Sequence, residues 1–179
     1  MQWDDHLGRL LEDLEQEAEG LAIAGRDAEV AEQSRAEYAQ VDLAGRLHAS
    51  AGRRVLVDVI GSGTLDGTLA RVGRGWCLLA TGTGEWIVRA AAIGAVRGLS
   101  DRAAVEEVRG IASRLGVASA LRGVAEGRGE VVVHRVDGVL SRGALVRVGA
   151  DFVDVHVGEG RAAHLETVPF TALAAVRTA

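Results

Sequence analysis

Two stretches, "GTLARVGRGW" at Gly67–Trp76 and "GALVRVGADF" at Gly143–Phe152, follow one pattern: Gly-x-Leu-x-Arg-Val-Gly-x-x-aromatic. They stand 76 residues apart. The correspondence runs from Val55/Val131 to Trp76/Phe152 at that offset and becomes 80 by Val96/Val176 and Arg97/Arg177. Four residues have therefore entered the second copy, near "GEGR", where a hairpin tip tolerates insertion. A chain that repeats itself this way builds one small unit twice.

The unit is read from its periodicity. "RRVLVDVIG", "LDGTLARVG", "WCLLATG", "EWIVRAA" and "IGAVRGL" are short, apolar or alternating, and separated by Gly and Thr-Gly turns. They predict five strands, enough for a small barrel or a tightly curled meander. "EVVVHRV", "SRGALVRVG", "DFVDVHVG", "AHLETVPF" and "AAVRTA" predict five more. Gly67 and Gly143 fall inside strands, where glycine marks a bend or a close backbone approach. Gly73 and Gly149 are expected to supply positive φ in hairpin turns, with Trp76 and Phe152 plugging the core. Pro169 sits near a strand end, where a missing N–H is tolerated.

Helical patterns precede each set. Trp3, Leu7, Leu10, Leu14 and Leu21 recur at a spacing of three to four among Asp and Glu and predict an amphipathic arm. Gly20 and Gly25 predict a bend or break in it. That stripe either packs on the chain's own body or pairs with another chain, and the sequence leaves both open. A second helical stretch is expected from Ala36 to about Ser50. Residues 101–128 return to helix, with Val117, Leu121 and Val124 on one face and Gly127 as its cap.

Charge divides the same way. Residues 1–42 carry −9, residues 43–100 carry +4 and residues 101–179 are neutral, within a net charge of −5. All 20 basic residues are Arg, and Lys and Asn are absent, as a GC-rich bacterial coding sequence would give. The chain is 48% hydrophobic and only 3% aromatic, so its core is built from aliphatic side chains. The start is acidic and amphipathic, unlike a signal peptide, and no apolar run approaches the ~18 residues of a membrane span. A soluble, cytoplasmic protein without membrane contact is expected.

A helix followed by five curled strands, with Asp137-Gly138, Gly143 and Asp151-Phe152 in the second copy, resembles the Sm-like fold. The first copy keeps Gly63, Gly67 and Trp76. The resemblance covers about residues 43–100 and 115–179. It implies α+β architecture, mainly β: an arm over 1–42, one Sm-like (SH3-like) barrel over 43–100, a helical linker over 101–116 and a second barrel over 117–179. Sm-like proteins form rings and bind RNA through an Asn-bearing loop and an Arg-Gly turn. Neither stands at the matching positions here, so no RNA-binding residue is carried over. The whole chain also resembles small bacterial proteins labelled as Fis-type regulators. A Fis-like C-terminus would be a helix-turn-helix, whereas "VPFTALAAVRTA" reads as strand, turn, strand.

Candidate sites are few. Cys77 is the only cysteine and lies in "WCLLA", as a small buried hydrophobe would. "GSGTLDG" lacks dinucleotide-loop spacing, and Asp58 and Asp66 read as solvated strand residues. His134, His156, His164 and Asp154 do not form a recognisable ligand set, so neither metal nor cofactor is expected. The reading is a non-enzymatic interaction or assembly module that self-associates or binds a protein partner, with Trp3, Leu7, Leu10, Leu14 and Leu21 as candidate oligomerisation residues. The alternative is RNA binding through Arg53, Arg54, Arg71 and Arg74 of the basic first barrel.

Overall fold

The computed structural model describes residues 32–178, apart from residue 37 and residues 105–113. The chain divides into two compact units, residues 1–41 and 42–179. In the first, residues 32–36 and 38 are helical. The arm's apolar stripe, Trp3, Leu7, Leu10, Leu14 and Leu21, lies outside the described residues.

The helix expected from Ala36 to Ser50 does not run through. Residues 39–40 turn, and a short helix, α1 (Leu43–His48), starts afresh. The cause is Asp42, whose carboxylate accepts the Gly45 N–H at 2.6 Å and satisfies one of the donors that a helix start leaves over. Buried Leu47 anchors α1 to the sheet. Ser50 is also buried; its hydroxyl donates to Arg46 O at 2.7 Å and accepts the Ser100 N–H at 2.9 Å.

Among the described residues ten strands follow: β1 (Arg54–Val59), β2 (Gly63–Gly73), β3 (Trp76–Thr81), β4 (Gly84–Arg89) and β5 (Ile93–Arg97), then β6 (Glu130–Arg135), β7 (Leu140–Val148), β8 (Phe152–Val157), β9 (His164–Pro169) and β10 (Leu173–Thr178). Between the sets lies α2 (Val117–Glu126), the described helix of the expected 101–128 run, while residues 101–104 are not helical. Gly127 ends α2 in the right-handed region with φ −68°, and the positive φ of 51° falls on Arg128 instead.

The protein is mainly β, and all ten strands form one antiparallel sheet, ordered β5-β1-β2-β3-β4-β10-β6-β7-β8-β9. Each half has the same internal order, with its last strand beside its first. The registers repeat as well. Val57 pairs with Leu65 and Val133 with Ser141. Ladder irregularities fall between Leu69 and Arg71 and between Leu145 and Arg147, at the same offset of 76. Two residues join β3 to β4 and six join β8 to β9, where Gly160–Ala162 forms a single 3-10 turn. The four added residues are thus confined to that hairpin.

The halves expected as separate domains are fused. Neither closes on itself, because β4 pairs with β10. The two apolar clusters cross this junction: Ala174 and Ala175 join the cluster of Val57, Leu69 and Leu79, while Trp76 and Ile87 join that of Leu121, Val133 and Val155. Burial follows position. β1 alternates exposed and buried residues, as a strand with one wet face does, whereas β4 and β10 have runs of three and four buried residues.

Two expectations about glycine are corrected. Gly73 and Gly149 do not have positive φ; in the first turn that role belongs to Gly75, at φ 79°. They are glycines because an aromatic ring lies where a Cβ would be, Trp76 over Gly73 and Phe152 over Gly149. The in-strand pair behaves as anticipated: a Cβ at Gly67 would meet Ala80 O at 2.6 Å, and one at Gly143 would collide with His156 O.

Candidate interaction surfaces

The seam between β4 and β10 is the natural starting point, because it is where one half recognises the other. Ala175 faces Val88, Val176 faces Ile87 and Arg177 faces Trp86. Trp86 is buried, packed at 4.6 Å (ring centroids) against His134 of β6, with the Arg177 guanidinium carbon 5.7 Å from its ring centroid. Both His134 ring nitrogens and Trp86 Nε1 are buried without hydrogen-bond partners. Burial, reinforced by the positive Arg177, holds the His134 pKa below the ordinary imidazole value. On the other side of the seam, Arg89 of β4 donates to Phe170 O and, at 3.3 Å, to Leu173 O. Burial lowers the pKa of Arg89.

The sheet ends on β5 and β9, each with a neighbour on one side only among the described strands. β5 is the counterpart of β10, and β9 the counterpart of β4. The equivalence holds in the pairing to the next strand in: Leu56, Val57 and Asp58 face Arg97, Val96 and Ala95, as Val132, Val133 and His134 face Arg177, Val176 and Ala175. Likewise Leu79 faces Trp86, and Val155 faces Glu166. Ala95 and Arg97 on β5, and Leu165 and Thr167 on β9, are exposed.

One internal position differs in kind. Val59, Leu65 and Trp86 belong to the apolar cluster of the first half. Their counterparts are Arg135, Ser141 and Glu166, which bond to one another: Arg135 Nη1 lies 3.4 Å from Glu166 Oε1, and the Ser141 hydroxyl donates to Glu166 Oε2 at 2.7 Å. On β5, Arg97 Nη2 pairs with Asp58 at 2.8 Å.

The candidate RNA contacts are placed as follows. Arg53, Arg54, Arg71 and Arg74 are all exposed. Arg53 and Arg54 lie side by side at the start of β1. Arg71 lies further along β2, and Arg74 follows it in the turn to β3, where its N–H donates to Leu115 O at 3.0 Å. Arg54 is engaged by Asp66 through two hydrogen bonds, at 2.8 and 2.9 Å. That contact lifts the Arg54 pKa and lowers that of Asp66.

A groove of about 550 Å³ lies between α2 and strands β3 and β4, walled by Val72, Trp76, Leu78, Ile87, Leu115 and Val124. Arg71, His48 and Glu85 also line it. The Trp76 indole N–H donates to Leu115 O at 2.8 Å and fixes one wall.

Asp154 is buried, accepting the Thr167 hydroxyl at 2.6 Å and pairing with Arg147 at 3.0 Å. His156 is exposed, and the ring of His164 lies 3.2 Å from Ala162 O. Among the described residues no group of three or more His, Cys, Asp or Glu is placed to hold a metal ion. Cys77 is fully buried, with its thiol pKa pushed up to about 12 by burial. No described helix is long and apolar enough to cross a membrane. No family model, curated protein or solved structure matches the chain.

Proposed function

We propose that the chain is a non-enzymatic assembly module, a tandem of two Sm-like units arisen by duplication, whose working partner is another copy of itself. One observation carries this reading. The internal joint uses β4 of one half and β10 of the other, and the counterparts of those strands, β9 and β5, stand at the two ends of the sheet. Unpaired strand edges recruit further strands unless they are covered or blunted. Here the two ends are unlike and complementary, so chains add head to tail, a geometry that gives rings when the rotation closes. The RNA alternative lacks a comparable observation: one of its four arginines, Arg54, is engaged by Asp66.

Sedimentation velocity of the full chain from low to high micromolar concentration tests the reading. Mass rising in whole multiples of the 18.7 kDa chain is the expected result. A monomer at every concentration would overturn it.

A further inference from the structure

We infer that the joint between chains is a charge-coded version of the internal seam, with Arg97 and Glu166 as the pair that sets its register and direction. This rests on the self-assembly reading and adds the chemistry of the contact.

The register follows from the seam. Replacing β4 by its counterpart β9, and β10 by its counterpart β5, converts Val88/Ala175 into Val168/Ala95, Ile87/Val176 into Thr167/Val96, and Trp86/Arg177 into Glu166/Arg97. Directly opposed residues of an antiparallel pair share one face, so Glu166 of one chain meets Arg97 of the next. At the seam, Trp86 packs on His134 as well as facing Arg177. The counterpart of His134 is Asp58, already bonded to Arg97. Glu166 brings its own partner, Arg135. Docking therefore completes a row of alternating sign: Arg135, Glu166, then Arg97 and Asp58 of the neighbouring copy. An aromatic contact inside the chain becomes a four-charge relay between chains.

This arrangement also decides orientation. β5 carries no acid to face Arg97 in a pairing of two β5 ends, and β9 no Arg or Lys to face Glu166 in a pairing of two β9 ends. Only head-to-tail union pairs the two charges. Because Arg97 is largely solvated before docking, with 58% of its side chain exposed, the contact is also open to screening by salt.

The test uses the full chain with R97E and E166R, each checked for folding by its thermal transition. R97E makes both ends acidic, and E166R makes both ends basic. Each alone should weaken self-association at least ~10-fold, the effect of a like-charge contact. An equimolar mixture should recover it, since every acidic end then finds a basic one. Raised salt should weaken assembly of the unaltered chain and leave its monomer fold intact. If E166R fails to fold, E166Q keeps an acceptor for Ser141, and with R97E and the salt series it carries the same test. Failure of the unaltered chain to self-associate would remove the assembly reading itself. Robust assembly of the unaltered chain that neither R97E nor salt weakens, or weakening by R97E and E166R with no recovery on mixing the two, would overturn the charge code alone.

Discussion

Trp86 of β4 and His134 of β6 lie 48 residues apart in the chain, yet their rings pack with centroids 4.6 Å apart, tilted by 48°, across the intervening strand β10. This contact joins the two halves through side chains where β4 and β10 join them through backbone. Truncation to Ala at Trp86 should therefore cost about 3–5 kcal/mol, as loss of a buried aromatic does. Chemical denaturation should still give a single transition, because the halves share a sheet. Arg177→Ala removes the cation from the ring and should cost only about 0.5–1 kcal/mol.

His134 gives the seam a pH dependence of definite sign. The folded protein holds its pKa below the ordinary 6.5, so the unfolded chain takes up a proton first as the pH drops. Stability contributed by neutral His134 is present above pH 6.5 and is lost as pH falls from there through the depressed folded value. Urea titrations from neutral to mildly acidic pH should show the decline, and His134→Phe should flatten it.

The glycines beneath aromatic rings make a coupled pair. Gly149→Ala should destabilise by roughly 2–3 kcal/mol through its collision with the Phe152 ring. In a Phe152→Ala background the same change should cost at least ~1 kcal/mol less. Equal costs in both backgrounds would mean that backbone conformation, not the ring, demands glycine there.

Cys77 should be silent in the folded protein. With the thiol buried and its pKa near 12, little thiolate exists at neutral pH. A thiol-specific disulfide reagent should label it only as fast as the chain unfolds, and denaturant should release one equivalent at once.

How far the sequence speaks depends on which interactions leave a local trace. Each strand announced itself through β-branched runs and turn residues, and the offsets of 76 and 80 located the inserted hairpin residues. Gly73 and Gly149 were legible as obligatory but not for their reason: a turn glycine and a glycine under a ring look alike until the ring is placed. Asp42 carried a capping signal that the apolar spacing around it obscured. The seam was harder, since edge-to-edge pairing of β4 with β10 needs no motif. Its trace is the continuous burial of "WIV" in β4 and "LAAV" in β10, in place of the alternation along β1. Arg54 was a candidate RNA contact; its pairing with Asp66 was not legible, because Asp66 lies on another strand and only the β1–β2 register brings the two together.

Backbone hydrogen exchange at low and high protein concentration tests the central claim most directly: that the open ends of this sheet repeat its internal joint. Amides of β4 and β10 should be protected at both concentrations. Within Ala95–Arg97 on β5 and Leu165–Thr167 on β9, the amides that point away from β1 and β8 should exchange readily when dilute and gain protection together on concentration, while the alternate amides bonded to β1 and β8 stay protected throughout. Protection of β5 and β9 that does not change with concentration, or that changes at only one of them, would contradict it.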